Sequence, residues 1–429
     1  MGPYSLAHRQ VDLTLDVLTS VLQGYHPRDF SVRLWDGTVW GPEQGEPVRF
    51  SLILRHPGAL RRMLLPLNQL TLGEAYVYDD FDIEGDMEAA FRMGDYLLSL
   101  NLGLAEKWSL VRHLLGLPSK NHVQPAHLQA RLHGASHSAR RDAQAVTYHY
   151  NVSNEFYRLW LDERMVYSCA YFAEPGEDLE KAQGRKLDYI CRKLRLREGE
   201  RLLDIGCGWG ALTLHAAKRY GAEALGITLS KPQAELANEH IHRAGLADRC
   251  RVEVCDYREI EAPGSYDKLV SVGMFEHVGG SRLREYFARA WRLLRPGGVF
   301  LNHAIASSLN QPLFSGPSFI DQYVFPDGEL VPITETLHAA EESGFDVRDL
   351  ENLREHYALT LRHWVERLEA SRDAACRCTS KGTYRVWRLY MAGSAHGFSI
   401  GRLNLYQTLL VKPDKGYSGL PLTRADWYC

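Results

Sequence analysis

The run Leu203-Asp204-Ile205-Gly206-Cys207-Gly208-Trp209-Gly210 has the residue types and spacing best suited to chemistry in this chain. Three glycines at alternate positions let a backbone turn tightly and approach a ligand, and a helix following such a turn presents free N–H groups. The spacing is G-x-G-x-G, not the G-x-G-x-x-G of a dinucleotide site. The next strand ends in Gly226-Ile227-Thr228-Leu229-Ser230, without the acid that would hold a ribose. A nucleoside smaller than a dinucleotide suits this pattern better. A third strand closes on Asp256-Tyr257, a carboxylate able to accept from an adenine amino group beside a ring able to cover it. The cysteines, at 169, 191, 207, 250, 255, 376, 378 and 429, show no C-x2-C pairing. No metal site or disulfide framework is indicated, and free thiols in a reducing cytoplasm are expected.

These residues need a sheet to hold them. Strands at Arg201–Ile205, Ala222–Thr228, Arg251–Cys255, Lys268–Gly273 and Gly298–Ile305 alternate with helices beginning near Ala211 and Pro232 and running from Ser281 to Leu294. Such alternation predicts an α/β fold with a mostly parallel, doubly wound sheet, whose ligands sit at the carboxyl ends of the strands. Residues 1–118 read as a smaller α+β domain. Short alternating runs at Ser31–Trp35 and Val48–Leu54 precede helical periodicity between Asp86 and Leu115, where Trp108, Val111, Leu114 and Leu115 share a face, beside Lys107, Arg112 and His113, expected to pack on its own domain, with a membrane-facing helix as the alternative. Residues 119–145, with Lys120, Arg131, Arg140 and Arg141 and no apolar period, read as a linker, leaving 146–429 as the catalytic domain.

A chain of 429 residues exceeds one core and predicts two domains. A formal charge of −3 gives no net attraction to nucleic acid, which is not expected as a partner. With no secretory leader and no apolar run of about 18 residues, a cytoplasmic protein is expected, and if it works on lipid it does so from the membrane surface.

With these pieces placed, the chain from roughly Pro57 to Val411 resembles the class I S-adenosylmethionine methyltransferases, and within them the cyclopropane fatty acid synthases and their mycolic acid relatives. The resemblance rests on Tyr167-Ser168-Cys169-Ala170-Tyr171-Phe172, the Asp204–Gly210 motif, Thr228-Leu229-Ser230-x-x-Gln233, Val270–Gly279 and Leu301-Asn302-His303-Ala304-Ile305. It implies a Rossmann-like catalytic domain and S-adenosylmethionine as cofactor. The implied contacts are Tyr167, Ser168, Gly206, Gly208, Thr228, Leu229 and Gln233, with Asp204 and Gly210 in the glycine motif and Asp256 and Tyr257 at the adenine. Leu72-Gly73-Glu74-Ala75-Tyr76 and Tyr78-Asp79-Asp80-Phe81-Asp82 look like the extra domain of the phospholipid-acting synthases, which the mycolic acid relatives lack. The resemblance therefore implies that residues 1–118 associate with lipid or membrane, with a membrane phospholipid bearing an unsaturated acyl chain as substrate, peripheral association with the inner face of the cell membrane, and a homodimer.

An alkene is a poor nucleophile, so the sulfonium methyl must be aligned with it in a dry, apolar pocket that tolerates a carbocation. Aromatic faces stabilise such charge, and Tyr323, Phe325, Tyr357 and Trp364 are available. Ring closure then needs a base. The resemblance implies a bound bicarbonate, held by residues matching Cys169, Glu276, His303, Ile305 and Tyr357. A carboxylate at Glu276 would repel that anion unless the two share a proton. His277 reads as a structural residue at a strand end. Ser394 and His396 depart from the family's pattern and place the shape of the acyl pocket in question. Two other outcomes stay open: a methylene or methyl-branched chain made with a reductase partner, and a lipid-binding protein without catalysis.

Overall fold

Side chains that accept the first free N–H groups start several helices. Asn68 accepts from the Thr71 amide, Asp86 from Ala89 and Asp178 from Glu180. The computed structural model describes residues 3–119, 128–130, 132–135, 137–150, 152–310 and 318–428. Lys120 and Arg131 of the expected linker lie outside the described residues. In chain order the first half carries α1 (Pro3–Leu22), β1 (Phe30–Arg33), β2 (Val39–Trp40), β3 (Phe50–Leu54), α2 (Ala59–Leu64), α3 (Gln69–Val77), β4 (Phe81–Gly85), α4 (Met87–Ser99), α5 (Leu104–Gly116), α6 (Ala139–Tyr150), α7 (Asn154–Arg158) and α8 (Leu179–Leu194). The second half carries β5 (Arg201–Ile205), α9 (Ala211–Tyr220), β6 (Glu223–Thr228), α10 (Lys231–Arg243), β7 (Cys250–Val254), β8 (Tyr266–Val272), α11 (Leu283–Leu293), β9 (Leu294–Ser307), α12 (Phe319–Tyr323), α13 (Ile333–Glu342), β10 (Asp346–Asn352), α14 (Arg354–Ala370), α15 (Arg372–Cys378), α16 (Lys381–Ser399) and β11 (Leu403–Val411).

The chain forms two compact units that are not simply consecutive. The first gathers Met1–Gln129, Phe314–Val324 and Ser380–His396; the second holds Ala130–Leu313, Phe325–Thr379 and Gly397–Cys429. In the first unit the sheet order is β2-β1-β3-β4, with β1 parallel to β3 and the outer pairs antiparallel. Its core stacks Phe30 on Phe50, with ring centroids 4.9 Å apart. Two buried arginines of α16 bind it to α3 and β4: Arg385 donates to the carbonyls of Tyr76 (2.7 Å) and Phe81 (2.6 Å), and Arg388 donates to the Tyr76 hydroxyl (2.8 Å). Donation to several acceptors offsets the cost of burying the two cations.

The helical stretch from Asp86 to Leu115 is two helices. They break before Gly103, whose amide donates to Glu106 Oε2 at 2.7 Å. The face expected to pack is divided: Leu114 is buried, while Trp108, Val111 and Leu115 are exposed. The expected linker is also partly helical, since α6 begins at Ala139.

The second unit is built on a seven-stranded sheet ordered β10-β11-β9-β8-β5-β6-β7. Strands β7, β6, β5, β8 and β9 run parallel, and β11 lies antiparallel between β9 and β10. This is the mostly parallel α/β sheet expected from sequence. Sequential order reverses between β5 and β8, the place where such sheets bind ligands beyond their carboxyl ends. Two apolar clusters cover the sheet's opposite faces. One centres on α8 and α9 with Ile190, Leu194 and Leu212; the other centres on α11 with Tyr286, Phe287 and Leu293. No described helix is long and apolar enough to cross a membrane.

Candidate functional site

A cavity of about 730 Å³, counting its open mouth, lies in the second unit at the ends of β5, β6 and β8. Gly206 and Gly208 line it with φ of +79° and +55°, conformations that side chains other than glycine's disfavour. A Cβ on Gly206 would lie 2.6 Å from Met274 Cβ, whereas one on Gly208 would meet nothing within 4 Å. Thr228, Leu229 and Gln233 line the next wall. Thr228 Oγ1 donates to Gln233 Oε1 at 2.8 Å and accepts from the Ser230 amide at 3.1 Å, fixing the glutamine. The buried Gln233 Nε2 has no hydrogen-bond partner within the protein. Such an atom implies a ligand that accepts from it.

Asp256 and Tyr257 also line the cavity. The Asp256 carboxylate is engaged by Arg258, which donates to Oδ1 from Nε (2.9 Å) and to Oδ2 from Nη2 (2.6 Å). Any acceptance from a ligand must therefore use the remaining lone pairs. Arg258 in turn pairs with Asp142 of α6 at 3.0 Å.

The remaining expected cofactor residues do not line this cavity. Asp204 is buried and accepts from Thr213 Oγ1 at 3.0 Å, and burial pushes its carboxyl up to about 7. Gly210, at φ +76°, starts α9, and a Cβ there would approach Ala237 Cβ to 2.9 Å. Both hold the turn and do not face its contents. Ser168 accepts from the buried Lys186 at 2.8 Å, and burial lowers that lysine to about 8. The ring of Tyr167 sits among those of Trp364 (5.3 Å), Trp160 (5.5 Å), Tyr157 (5.6 Å) and His149 (5.7 Å).

The five residues expected around an anion lie in the same unit. Glu276 follows β8 in a short 3-10 turn, and its Oε1 accepts from the Ile305 amide of β9 at 2.7 Å. Its Oε2 is buried without a partner within the protein, and burial pushes the carboxyl up to about 7. His303, two residues before Ile305, is buried; burial and the charges of Lys186 and Lys193 keep its ring neutral. Gln407 Nε2 donates to His303 Nδ1 at 3.2 Å, which assigns the ring proton to Nε2, a buried atom likewise without a partner within the protein. Cys169 and Tyr357 are tied to Leu353. The thiol donates weakly to the Leu353 carbonyl at 3.9 Å, and the Tyr357 amide donates to the same oxygen at 3.1 Å. The Leu353 amide donates to Leu405, the β11 partner of Ile305. Burial raises the Cys169 thiol far above its usual range, which removes it as a nucleophile.

Aromatic rings continue from this group. Tyr357 lies 4.8 Å from Phe398 and 6.1 Å from Trp364 between centroids; His149 stacks on Phe325 at 3.9 Å, and Phe325 lies 5.8 Å from His277. Tyr323 is not in this set. It belongs to the first unit, where its hydroxyl donates to Glu74 and bonds Tyr78, each at 2.8 Å. His396 likewise pairs with Asp95 at 2.8 Å and stacks on Phe91 within the first unit.

Several cavity residues escaped the reading of the sequence, among them Arg258, His277, Asp142 and Val146. His277, read as a structural residue at a strand end, stands in the short 3-10 turn after β8 and also lines the cavity, and burial lowers it to about 4. Asp142 and Val146 line the cavity from α6, within or beside the expected linker. Asp142, Ala145, Val146 and His149 are all buried at i, i+3, i+4 and i+7. The helical period is present, but polar residues occupy its ends, so an apolar count passes over it.

Comparison with known proteins places these features in context. The family described as mycolic acid cyclopropane synthetase matches residues 137–408, and a domain of unknown function matches residues 17–94. A probable fatty acid methyltransferase of Pseudomonas putida is 40% identical over 96% of this chain and 99% of its own length. A probable fatty acid methyltransferase of Mycobacterium tuberculosis is 35% identical over 95% of this chain and 96% of its own. Among solved structures, the cyclopropane synthase MmaA2 from Mycobacterium tuberculosis is 34% identical, with a TM-score of 0.60, covering 62% of this chain and 97% of that one. The mycolic acid cyclopropane synthase CmaA1 complexed with SAH and CTAB is also 34% identical, with a TM-score of 0.59 over the same shares.

Proposed function

Since the chain belongs to the mycolic acid cyclopropane synthetase family, an S-adenosylmethionine-dependent methyltransferase family, we propose that it adds the cofactor's methyl carbon across the cis double bond of an unsaturated phospholipid acyl chain and closes a cyclopropane ring. The observation carrying this reading is the pair of buried atoms without partners in the protein, Oε2 of Glu276 in the turn after β8 and Nε2 of His303 within the adjacent β9, in the unit that bears the glycine-lined cavity.

S-adenosylmethionine fits the first cavity. Gly206 and Gly208 allow close approach, and Gln233 Nε2 offers a donor that nothing in the protein satisfies. When bound, the cofactor supplies an electrophilic sulfonium methyl. The adjoining rings of Tyr167, Trp364, Tyr357 and Phe398 would exclude water from the reacting carbons and offer polarisable faces to developing positive charge.

Bicarbonate fits the second group, since His303 Nε2–H is a donor and Glu276, with its pKa near 7, can carry a proton on Oε2. Bound there, it would supply a base for the proton lost from the added methyl group. Glu276 would hold the shared proton on Oε2 while Oε1 stays fixed by Ile305. The balance is one methyl gained by the alkene, one proton lost from that methyl, and a neutral thioether left by the cofactor.

Phospholipid is favoured over mycolic acid because residues 1–129 of the first unit fall outside the stretch matching the mycolic acid cyclopropane synthetase family. A second reading, a methylene-branched product finished by a reductase partner, is favoured by the full-length relatives' description as probable fatty acid methyltransferases. Proton NMR of acyl chains treated with the purified protein and cofactor separates the two. Upfield ring protons are expected, and vinylidene signals would replace the first reading by the second.

A further inference from the structure

The first unit carries an apolar surface that its own fold leaves uncovered. At about 100° per residue, Leu104, Trp108, Val111 and Leu115 of α5 fall within one sector about 60° wide. They are 88%, 73%, 39% and 54% exposed. The helix packs on α1 and α2 through a different face, marked by the buried Leu114, with Leu117 just beyond the helix end. Four large apolar side chains in one exposed row are unusual on a water-facing helix.

Charge around the row favours one occupant. Lys107 lies on one side and Arg112 on the other, both exposed, while the acidic Glu106 is turned to the far side and held by the Gly103 amide. Leucine and tryptophan flanked by lysine and arginine suit a helix lying in the boundary between headgroups and acyl chains, where the cations reach anionic phosphates. A second copy of the chain would bring the same cations face to face.

We propose that α5 docks the protein on an anionic phospholipid surface through Leu104, Trp108, Val111 and Leu115, with Lys107 and Arg112 contacting the headgroups. This deepens the proposed function by naming the surface that meets the lipid, and it rests on lipid being the substrate. The row lies on a helix whose other face is already packed, so the fold does not need it.

The test is flotation of the full chain with vesicles of phosphatidylglycerol and phosphatidylcholine, without cofactor, for wild type, Trp108→Glu with Leu115→Glu, and Lys107→Gln with Arg112→Gln. The acidic pair is expected to weaken binding by about tenfold or more, since each large side chain withdrawn from lipid removes a factor of that order. The neutral pair is expected to lose the preference for phosphatidylglycerol, and S-adenosylmethionine affinity should stay at the wild-type value in both. Unchanged vesicle binding by the acidic pair would overturn the proposal. So would a change from dimer to monomer with vesicle binding intact, because the row would then be an interface between copies. Loss of binding in the variants, with no methyl transfer by wild type to any lipid, would retain the docking surface and reject the proposed reaction.

Discussion

Glu276 concentrates the residue-scale consequences. Burial raises its pKa from 4.5 to about 7, so the folded protein holds this proton more tightly than the unfolded chain does. The stabilisation is full below about 4.5 and is lost as pH rises through about 7. Between these limits Glu276→Gln should flatten the fall in unfolding free energy by on the order of 3 kcal/mol, measured by denaturant titration at several pH values. An unchanged slope would place the ionisation elsewhere. The substituted amide could keep the hydrogen bond from Ile305 and donate to a bound anion but could not exchange a proton. Turnover should therefore drop about a hundredfold or more while S-adenosylmethionine affinity holds; equal loss of both would remove Glu276 from any role in holding the base. At Gln233 the opposite division is expected: Gln233→Leu should weaken cofactor binding about tenfold by calorimetry. Wild-type affinity would mean that Nε2 does not meet the cofactor.

At the scale of elements, the turn from β5 into α9 separates glycines that bind from glycines that build. Gly208→Ala places a methyl in open cavity, so cofactor affinity should fall while the melting temperature drops only by the strain of a left-handed alanine, about 1 kcal/mol. Gly210→Ala drives a methyl against Ala237, so the melting temperature should fall first. The reverse assignment would show that the cavity is not the cofactor's. This turn was legible in the sequence because left-handed backbone leaves glycine as its mark. Helix α6 was not, because Asp142 and His149 stand at inward positions where an apolar pattern expects leucine or valine. Its aspartate is inward because it pairs with Arg258, a contact that exists only after folding. The break between α4 and α5 was visible in principle, as Gly103 with Glu106 three residues on, but a continuous helical period obscured it.

At the scale of the molecule, the parallel sheet follows from alternating strand and helix patterns, and its strands fall close to the expected segments. The composition of the two units does not follow from local pattern. The first unit takes in most of α16, some 300 residues from α3, through Arg385 and Arg388 donating to Tyr76 and the carbonyls of β4. Buried arginine on a helix otherwise reads as a solvated face. In the second unit Trp160 is fully buried among the rings of Phe156, Tyr157, Tyr167 and Trp364. Trp160→Ala should cost about 3–5 kcal/mol of stability, and a loss below about 1 kcal/mol would contradict that packing. The most direct measurement is to incubate the purified chain with methyl-labelled S-adenosylmethionine and vesicles of either a cis-unsaturated or a saturated phospholipid, then follow the label by mass spectrometry. Methyl transfer to an acyl double bond predicts label in the unsaturated acyl chains alone. Label in neither lipid, with cofactor binding verified on the same protein, would contradict it.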